Sequence, residues 1–507
     1  MALANFIDRA VTSASQLLAD FELQPFRESL ERNVVGIAFD ADASGSSEAI
    51  VTLDLTLRLV ARLYPRIAIL GIGASASELV GELEELARSI NPDIEFVAEA
   101  EKVTVGICVG VTDAPFASPT FHVGSDGWRA RLSVSGPVGS GSSGNPVGAG
   151  AAACFAAANV FRTIFASQLT HGDIDEEIDL CLLSFAPGGG TDGAGVEEIY
   201  MGRVQLVGAG AIGNAFLWTA SRWTGLSGAI DVVDHEDVDL SNLQRYVLCL
   251  QEDVSQVKVD VAVARAGSPS VAIVPHRADW QGYVSDRTDW RFDRVAVALD
   301  TARDRLAVQG SLPRWIANAW TQETDLGVSR HRFGDGACLA CLYMPAGKVK
   351  DRDEIVAEEL GTPEARLEIR MMLHRNAAVD AAFVGRVATA LGVPFEPLSA
   401  FVGQPLASFH QGAICGGLVL KLTGGAAKVK AVVPMAFQSA LAGILLAAEV
   451  VKHAAGLPPV PTTSTRINLL RPLGGYLHDP KSRDATGRCI CADDDFLKAY
   501  AGKYGRG

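Results

Sequence analysis

The chain has 507 residues, 48% of them hydrophobic, and a formal net charge of −15. That is enough apolar material for large cores and too much chain for one ordinary domain, so two or three domains are expected. The acidic balance, with no Lys/Arg-rich run, argues against a nucleic-acid partner.

The opening MALANFIDRA has no charged-then-apolar secretory pattern, and the expected location is the cytoplasm. Residues 6–30 read as helical, and 50–61 as a further helix or strand. Arg66 to Gly73 is an apolar run ending in Gly71-Ile-Gly73, followed by a helical pattern over 78–87. This suggests the opening of a nucleotide-binding βα unit, with Ala76 where a third glycine would fall. Residues 104–110 form a buried-strand pattern. A Gly/Ser-rich loop at 136–144 leads into a small-residue helix over 148–165. Residues 146–161 and 432–448 are nearly uncharged, but they are Ala- and Gly-rich and short of a membrane span, so core helices and no membrane partner are expected. Gly188 to Gly195 reads as a linker.

The pattern then restarts: a strand at 202–208, a glycine turn, a helix through Thr224 and a strand over 229–234. A second small-residue helix at 433–449 sits in its half as 148–165 sits in the first. Two related α/β halves are therefore expected, meeting near 188–197.

The second half carries the chemistry. Gly208-Ala-Gly210-Ala-Ile-Gly213 follows a strand and opens a helix. Such glycines allow a tight turn, backbone approach to phosphate and close helix–strand packing. Asp234, closing the next strand, suits a ribose hydroxyl. That much fits an NAD-dependent oxidoreductase equally well. The following residues favour a triphosphate instead. Asn242, Arg245 and Lys258 come in order, a planar fork and a compact charge for phosphate oxygens. Asp300 ends a further apolar run over 294–300, where an acid beside phosphates suits Mg2+.

Taken together, Asp234, Ser241-Asn242-Leu243-Gln244-Arg245, Lys258, Asp300 and Arg305 resemble the adenylation domain shared by ThiF, MoeB and the ubiquitin-activating enzymes. The family's D-x-D is represented by Asp234-His235-Glu236 or extends to Asp237. Tyr246 and Thr301 replace residues usual in the family. The resemblance implies two Rossmann-like ThiF-type folds, the first degenerate and the second active, with a small helical insertion bearing a catalytic cysteine. The implied division is an inactive domain at 1–195, an ATP-binding domain at 196–345 and a cysteine-bearing insertion at 346–425. Residues 426–507 would complete the active domain and carry a zinc tail.

Cys338-Leu-Ala-Cys341 has the spacing of half a structural zinc site, and Cys489-Ile-Cys491 is the candidate second half. By resemblance, Asp234 binds the ribose, Asn242, Arg245 and Lys258 the phosphates, and Asp300 the Mg2+. Cys415 would take an acyl group as thioester, with His410 or Arg375 assisting. Arg27 or Arg32 would reach the ATP from the other half. The implied activity is adenylation of the C-terminal glycine of a ubiquitin-like protein, then transfer to a conjugating enzyme. Such compact bacterial enzymes occur in antiviral conjugation systems. A sulfur-carrier adenylyltransferase, an NAD-dependent oxidoreductase and a non-catalytic scaffold remain as alternatives.

Overall fold

A computed structural model describes residues 3–505, apart from 74–75, 188–197, 345–350, 416–417, 423–432, 459, 461–462 and 475–477. The expected linker at Gly188–Gly195 and the expected boundaries near 195, 345 and 425 lie outside the described residues.

In chain order, helices α1 (Ile7–Leu17) and α2 (Leu23–Arg32) precede strand β1 (Val35–Asp40). The expected single helix over 6–30 is thus broken, with Asp20 in the left-handed region at φ 49°. There follow α3 (Ala41–Gly45), α4 (Ser47–Val60), β2 (Arg66–Ile72), α5 (Ser77–Ile90), β3 (Glu95–Phe96), β4 (Val105–Val109), β5 (Thr120–Asp126) and β6 (Arg129–Ser133). Helix α6 (Val147–Ile164), β7 (Glu177–Cys181) and β8 (Ala186–Pro187) complete the first half.

The second half runs β9 (Ile199–Val207), α7 (Ala211–Ser221), β10 (Leu226–Val233), α8 (Lys258–Ala266), β11 (Val271–His276), α9 (Trp280–Ser285) and β12 (Arg294–Val297). Then come α10 (Ala302–Gly310), β13 (Ile316–Thr321), β14 (Leu326–His331) and α11 (Leu339–Tyr343). A helical insertion holds α12 (Arg352–Glu359), α13 (Arg366–Arg375), α14 (Ala381–Leu391), α15 (Phe395–Ser399), α16 (Leu406–His410) and α17 (Leu418–Leu422). Helix α18 (Ala436–Ala454), β15 (Ser464–Ile467) and α19 (Asp494–Tyr504) end the chain.

The first sheet has the order β3-β2-β1-β4-β5-β6-β7-β8, and the second β11-β10-β9-β12-β13-β14-β15. Numbered from its own first strand, each half reads 3-2-1-4-5-6-7, and the first adds an eighth strand at that edge. In both, the pairs are parallel through the fifth strand and antiparallel beyond it. In both, a long small-residue helix links the sixth and seventh strands: α6 in one half, α18 in the other. The expected duplication is therefore a shared topology. The continuous apolar run of β1, buried at every position, is what a parallel strand covered on both faces requires.

Helices α6 and α18 are buried nearly throughout and pack against each other, so one apolar core runs through both halves. The insertion has a separate core of Val356, Leu360, Phe383, Val387, Leu398 and Phe409.

One expectation is corrected by the topology. Gly71–Gly73 ends the second strand of its half, the place of Asp234, not of the Gly208 loop. The turn after the first strand is Asp40-Ala-Asp-Ala-Ser-Gly-Ser46. The Asp40 carboxylate accepts N–H bonds from Ala43 (2.9 Å), Val111 (2.7 Å) and Thr112 (2.8 Å). Burial alone would raise its carboxyl, but these donors hold it below the usual range. A fixed anion thus spans the crevice between β1 and β4. The 136–144 loop lies over the same edge, with Ser46 donating to the Gly141 carbonyl and the Ser143 N–H to Glu48.

Candidate nucleotide site and thiol cluster

In the second half the equivalent crevice, between β9 and β12, has no such plug from the turn after β9. Gly208 adopts φ +96°, and a Cβ there would lie 2.7 Å from the Ala298 carbonyl oxygen. A Cβ on Gly213 would fall 2.1 Å from the Gly208 carbonyl oxygen. Only glycine allows this loop to pass so close to β12 and to α7. The N-cap of α7 is Gly210, with no side chain bonded to the first turn, so its N–H groups suit an anion.

Asp234 follows β10. Its carboxylate accepts from the N–H of Ala209 (2.8 Å), within the glycine loop, and of Glu236 (2.9 Å). Lys258 starts α8 and is buried, with its ammonium 2.5 Å from Glu236. Burial would lower the lysine, but Tyr246, Asp234 and Glu236 more than offset that and hold it above its usual range, so it stays charged. Glu236, not Asp237, is the acid that meets the lysine; Asp237 pairs with Arg277 (3.0 Å). His235 is exposed.

Residues Leu240–Gln244 form a 3-10 turn capped by Asp239, whose own N–H donates to the Asn242 side chain (3.1 Å). Asn242 is buried and Arg245 half-buried. Asp300 lies three residues past β12 and is exposed. Its carbonyl, with those of Leu299 and Ala319, accepts from Arg305, a buried guanidinium that pins this loop to β13. The glycine loop, Asp234, Lys258 and the Asp300 loop therefore meet at the carboxyl ends of the parallel strands of this sheet, where the strand order reverses.

The sequence did not single out Arg9. From α1 of the first half, this buried arginine donates to the Ser241 hydroxyl (3.2 Å), inside the 241–245 turn. Arg27 instead faces Asp8 (3.3 Å), and Arg32 is exposed at the end of α2. Only its place in an N-terminal helix could have pointed to Arg9.

Cys338, Cys341, Cys489 and Cys491 bring four sulfurs within 4.8 Å of one another. Four of the separations are 3.8, 3.4, 3.5 and 3.4 Å. Ligands about 2.3 Å from a tetrahedral ion would lie about 3.8 Å apart, so the donor set fits a metal ion. A hydrogen bond from Cys338 and the N–H of Asp484 hold Cys341 well below the usual thiol range, at about 5. The cluster joins α11 to the tail, and α19 then packs back through Tyr500, Lys503 and Tyr504 onto the carbonyls of Arg314, Ser311 and Phe292.

Cys415 ends a π-helical turn, Gln411–Cys415, in the insertion; its side chain lies outside the described residues. His410 pairs with Glu359 (2.6 Å), and Arg375 is exposed at the end of α13. Helix α17, just beyond Cys415, lies against α1. Cys108, Cys154, Cys181 and Cys249 are buried.

Two duplicated Rossmann-like halves with one nucleotide-type crevice define a ThiF/MoeB/ubiquitin-activating class of protein. Comparison with known proteins agrees. The ThiF family model matches residues 189–489, more than half of the chain, and the chain belongs to the ThiF family of adenylyltransferases. A second model, prokaryotic E2 family C, matches residues 38–166 in the first half. The uncharacterized protein y4jF of Sinorhizobium fredii is 57% identical over 507 residues, covering 100% of this chain and 98% of its own. Ubiquitin-like modifier-activating enzyme 7 of Homo sapiens is 35% identical over 134 residues, 24% of this chain and 13% of that protein. The adenylyltransferase and sulfurtransferase uba4 of Aspergillus terreus is 38% identical over 155 residues, 28% of this chain and 31% of that one. The chain thus spans under a third of the length of these last two. Crystal structures of E. coli MccB are also similar; one has a TM-score of 0.33 and 14% identity, covering 58% of this chain and 67% of that one.

Proposed function

We propose that the chain activates the C-terminal glycine of a ubiquitin-like protein by adenylation, then holds it as a thioester for a conjugating enzyme. The observation that carries this reading is the meeting of the Gly208–Gly213 loop, Asp234 and the Lys258–Glu236 pair at one sheet edge, in a member of the ThiF family. The partial identity to a modifier-activating enzyme and to uba4 supports it. In this reading the first half is the inactive one, because its Asp40 carboxylate already takes the N–H of Ala43 in α3, the helix that follows β1 as α7 follows β9.

In this reading Asp234 takes the ribose hydroxyls, and the N–H groups at the start of α7 face the phosphates. Arg245, Lys258 and, from the first half, Arg9 neutralise them, and Asn242 contacts them through its amide. Mg2+ bound at Asp300 would supply further charge neutralisation. The modifier's carboxylate oxygen attacks the α-phosphorus of ATP. The bond from that phosphorus to the bridging oxygen breaks, and pyrophosphate leaves with the electron pair. The Cys415 thiolate then attacks the acyl carbon and AMP departs as the leaving group. The position of α17 against α1, the helix that carries Arg9, supports Cys415 in this role. Zinc on the four cysteines would be structural. The thiols would remain reduced in the cytoplasm.

The test uses purified protein, Mg·ATP and a ubiquitin-like protein ending in Gly, followed by intact mass. A reductant-sensitive adduct, lost in Cys415→Ala and in Asp300→Ala, is expected. Pyrophosphate-dependent ATP exchange with no adduct would leave adenylation and favour a sulfur-carrier substrate. Exchange that survives Asp300→Ala would remove the metal role of that residue.

A further inference from the structure

Besides Arg9 of α1, helix α4 of the first half holds the chain of the second half close to the nucleotide side. Arg62, just past α4, is 1% exposed. Its Nη2 donates to the carbonyls of Tyr246 (2.7 Å), Cys249 (2.7 Å) and Val247 (3.3 Å). Arg58, one turn earlier, donates to the Val247 carbonyl (2.9 Å) and to Asp54. Asp54 in turn accepts from Trp218 Nε1 (2.7 Å) and pairs with Arg222 (2.9 Å), in and just after α7. One face of α4 therefore grips both the helix behind the glycine loop and the turn that begins right after Arg245.

We propose that Arg62 is a positioning residue for Arg245, so that the first half sets the phosphate-binding geometry of the second. This rests on the nucleotide reading above. Three carbonyls within four residues converge on one buried cation, and they fix the backbone from which the Arg245 guanidinium projects. A planar fork can serve several acceptors at once, whereas a lysine offers a compact point charge. Carbonyls left without a donor in this interior would shift to find one, and displacements of about 1 Å can cost a site on the order of 100-fold.

The experiment measures binding of Mg·ATP and of adenosine to the full chain by calorimetry, with thermal unfolding alongside, for wild type, Arg62→Lys, Arg245→Ala and the double variant. The expected result is an ATP affinity reduced about 10-fold or more in Arg62→Lys, with adenosine affinity within about twofold of wild type. Arg62→Lys is expected to add no further loss in the Arg245→Ala background, since the two act as one unit. Equal loss of both ligands, additive losses, or unchanged ATP binding would overturn the proposal. Should Arg62→Lys fail to fold, Arg58→Lys, which loosens the Val247 tether and the Asp54 pair but leaves the Arg62 contacts to Tyr246 and Cys249, is read the same way with a smaller ATP-selective loss. A wild type that binds neither ligand would remove the nucleotide reading and this inference with it, whereas a normal wild type with an unchanged variant removes the inference alone.

Discussion

In the proposed reaction, Lys258 is the side chain whose surroundings suit it to phosphate. It is buried, yet Asp234 and Glu236 keep it charged, so a fixed cation waits beside the glycine loop. Lys258→Met should cut adenylation by about 100-fold or more, as loss of one preorganised charge contact does. The fold should survive, because Glu236, half exposed on its own, can turn to water. Pyrophosphate exchange with circular dichroism alongside checks this, and a variant of normal rate would remove Lys258 from the site. The residues of this crevice that could be read in the sequence owe it to local chemistry. Glycine positions, an acid at a strand end and the run from Ser241 to Arg245 carry their meaning in a few neighbouring letters. Arg9 and Arg62 could not be read that way. Each acts on partners more than 180 residues away, and an arginine in a helix looks the same whether it faces solvent or another half's carbonyls.

At the scale of elements, the cysteine cluster and α19 form a clasp. The tail lacks a large core of its own: α19 has no buried residue, and its side chains reach back to carbonyls of the loops near Phe292 and Ser311. Its attachment should therefore depend on the metal. Purified protein is expected to carry one zinc per chain. Cys489→Ser should lower that content to near zero, reduce the melting temperature by several degrees and open the 481–505 segment to protease. Full metal retention in that variant would exclude a four-thiolate site. Helices α6 and α18 were legible as elements because their small, uncharged residues suit only a crowded interior. The Gly71–Gly73 turn misled for the opposite reason. Strand, glycines and helix follow the second strand as readily as the first, and strand order is a property of the whole sheet.

At the scale of the molecule, the two halves are joined through buried charge as well as apolar contact. Glu449 in α18 meets Arg330 (2.5 Å) and Lys452, and the Lys452 ammonium also donates to the carbonyls of Leu182 and Leu183 at the end of the first half (3.2 Å each). Burial would raise the Glu449 carboxyl, but Lys452 and Arg330 hold it down at about 2. A carboxyl with a lower pKa folded than unfolded stabilises the fold above its unfolded pKa, and that contribution is lost as pH falls toward the folded value. The window here is about pH 4.5 to 2, and the contribution at neutral pH is about 3 kcal/mol at most. Wild type should thus lose stability relative to Glu449→Gln on acidification through that window, read as a shrinking gap between their denaturant midpoints. A constant gap would deny Glu449 this role.

The unequal twin crevices also bear on how such a chain can change over time. In an assembly of two identical subunits, every substitution appears twice, so no copy can lose its site while the other keeps it. Placing both copies on one polypeptide breaks that constraint. Here the two crevices do differ: one has its glycine loop, while in the other the Asp40 carboxylate sits on the N–H groups of Ala43, Val111 and Thr112. The surfaces where α4 and α6 meet α7 and α18 have had no such freedom, since neither half can drift there without its neighbour. Divergence between related chains should accordingly concentrate around Asp40 and the 136–144 loop and spare the seam.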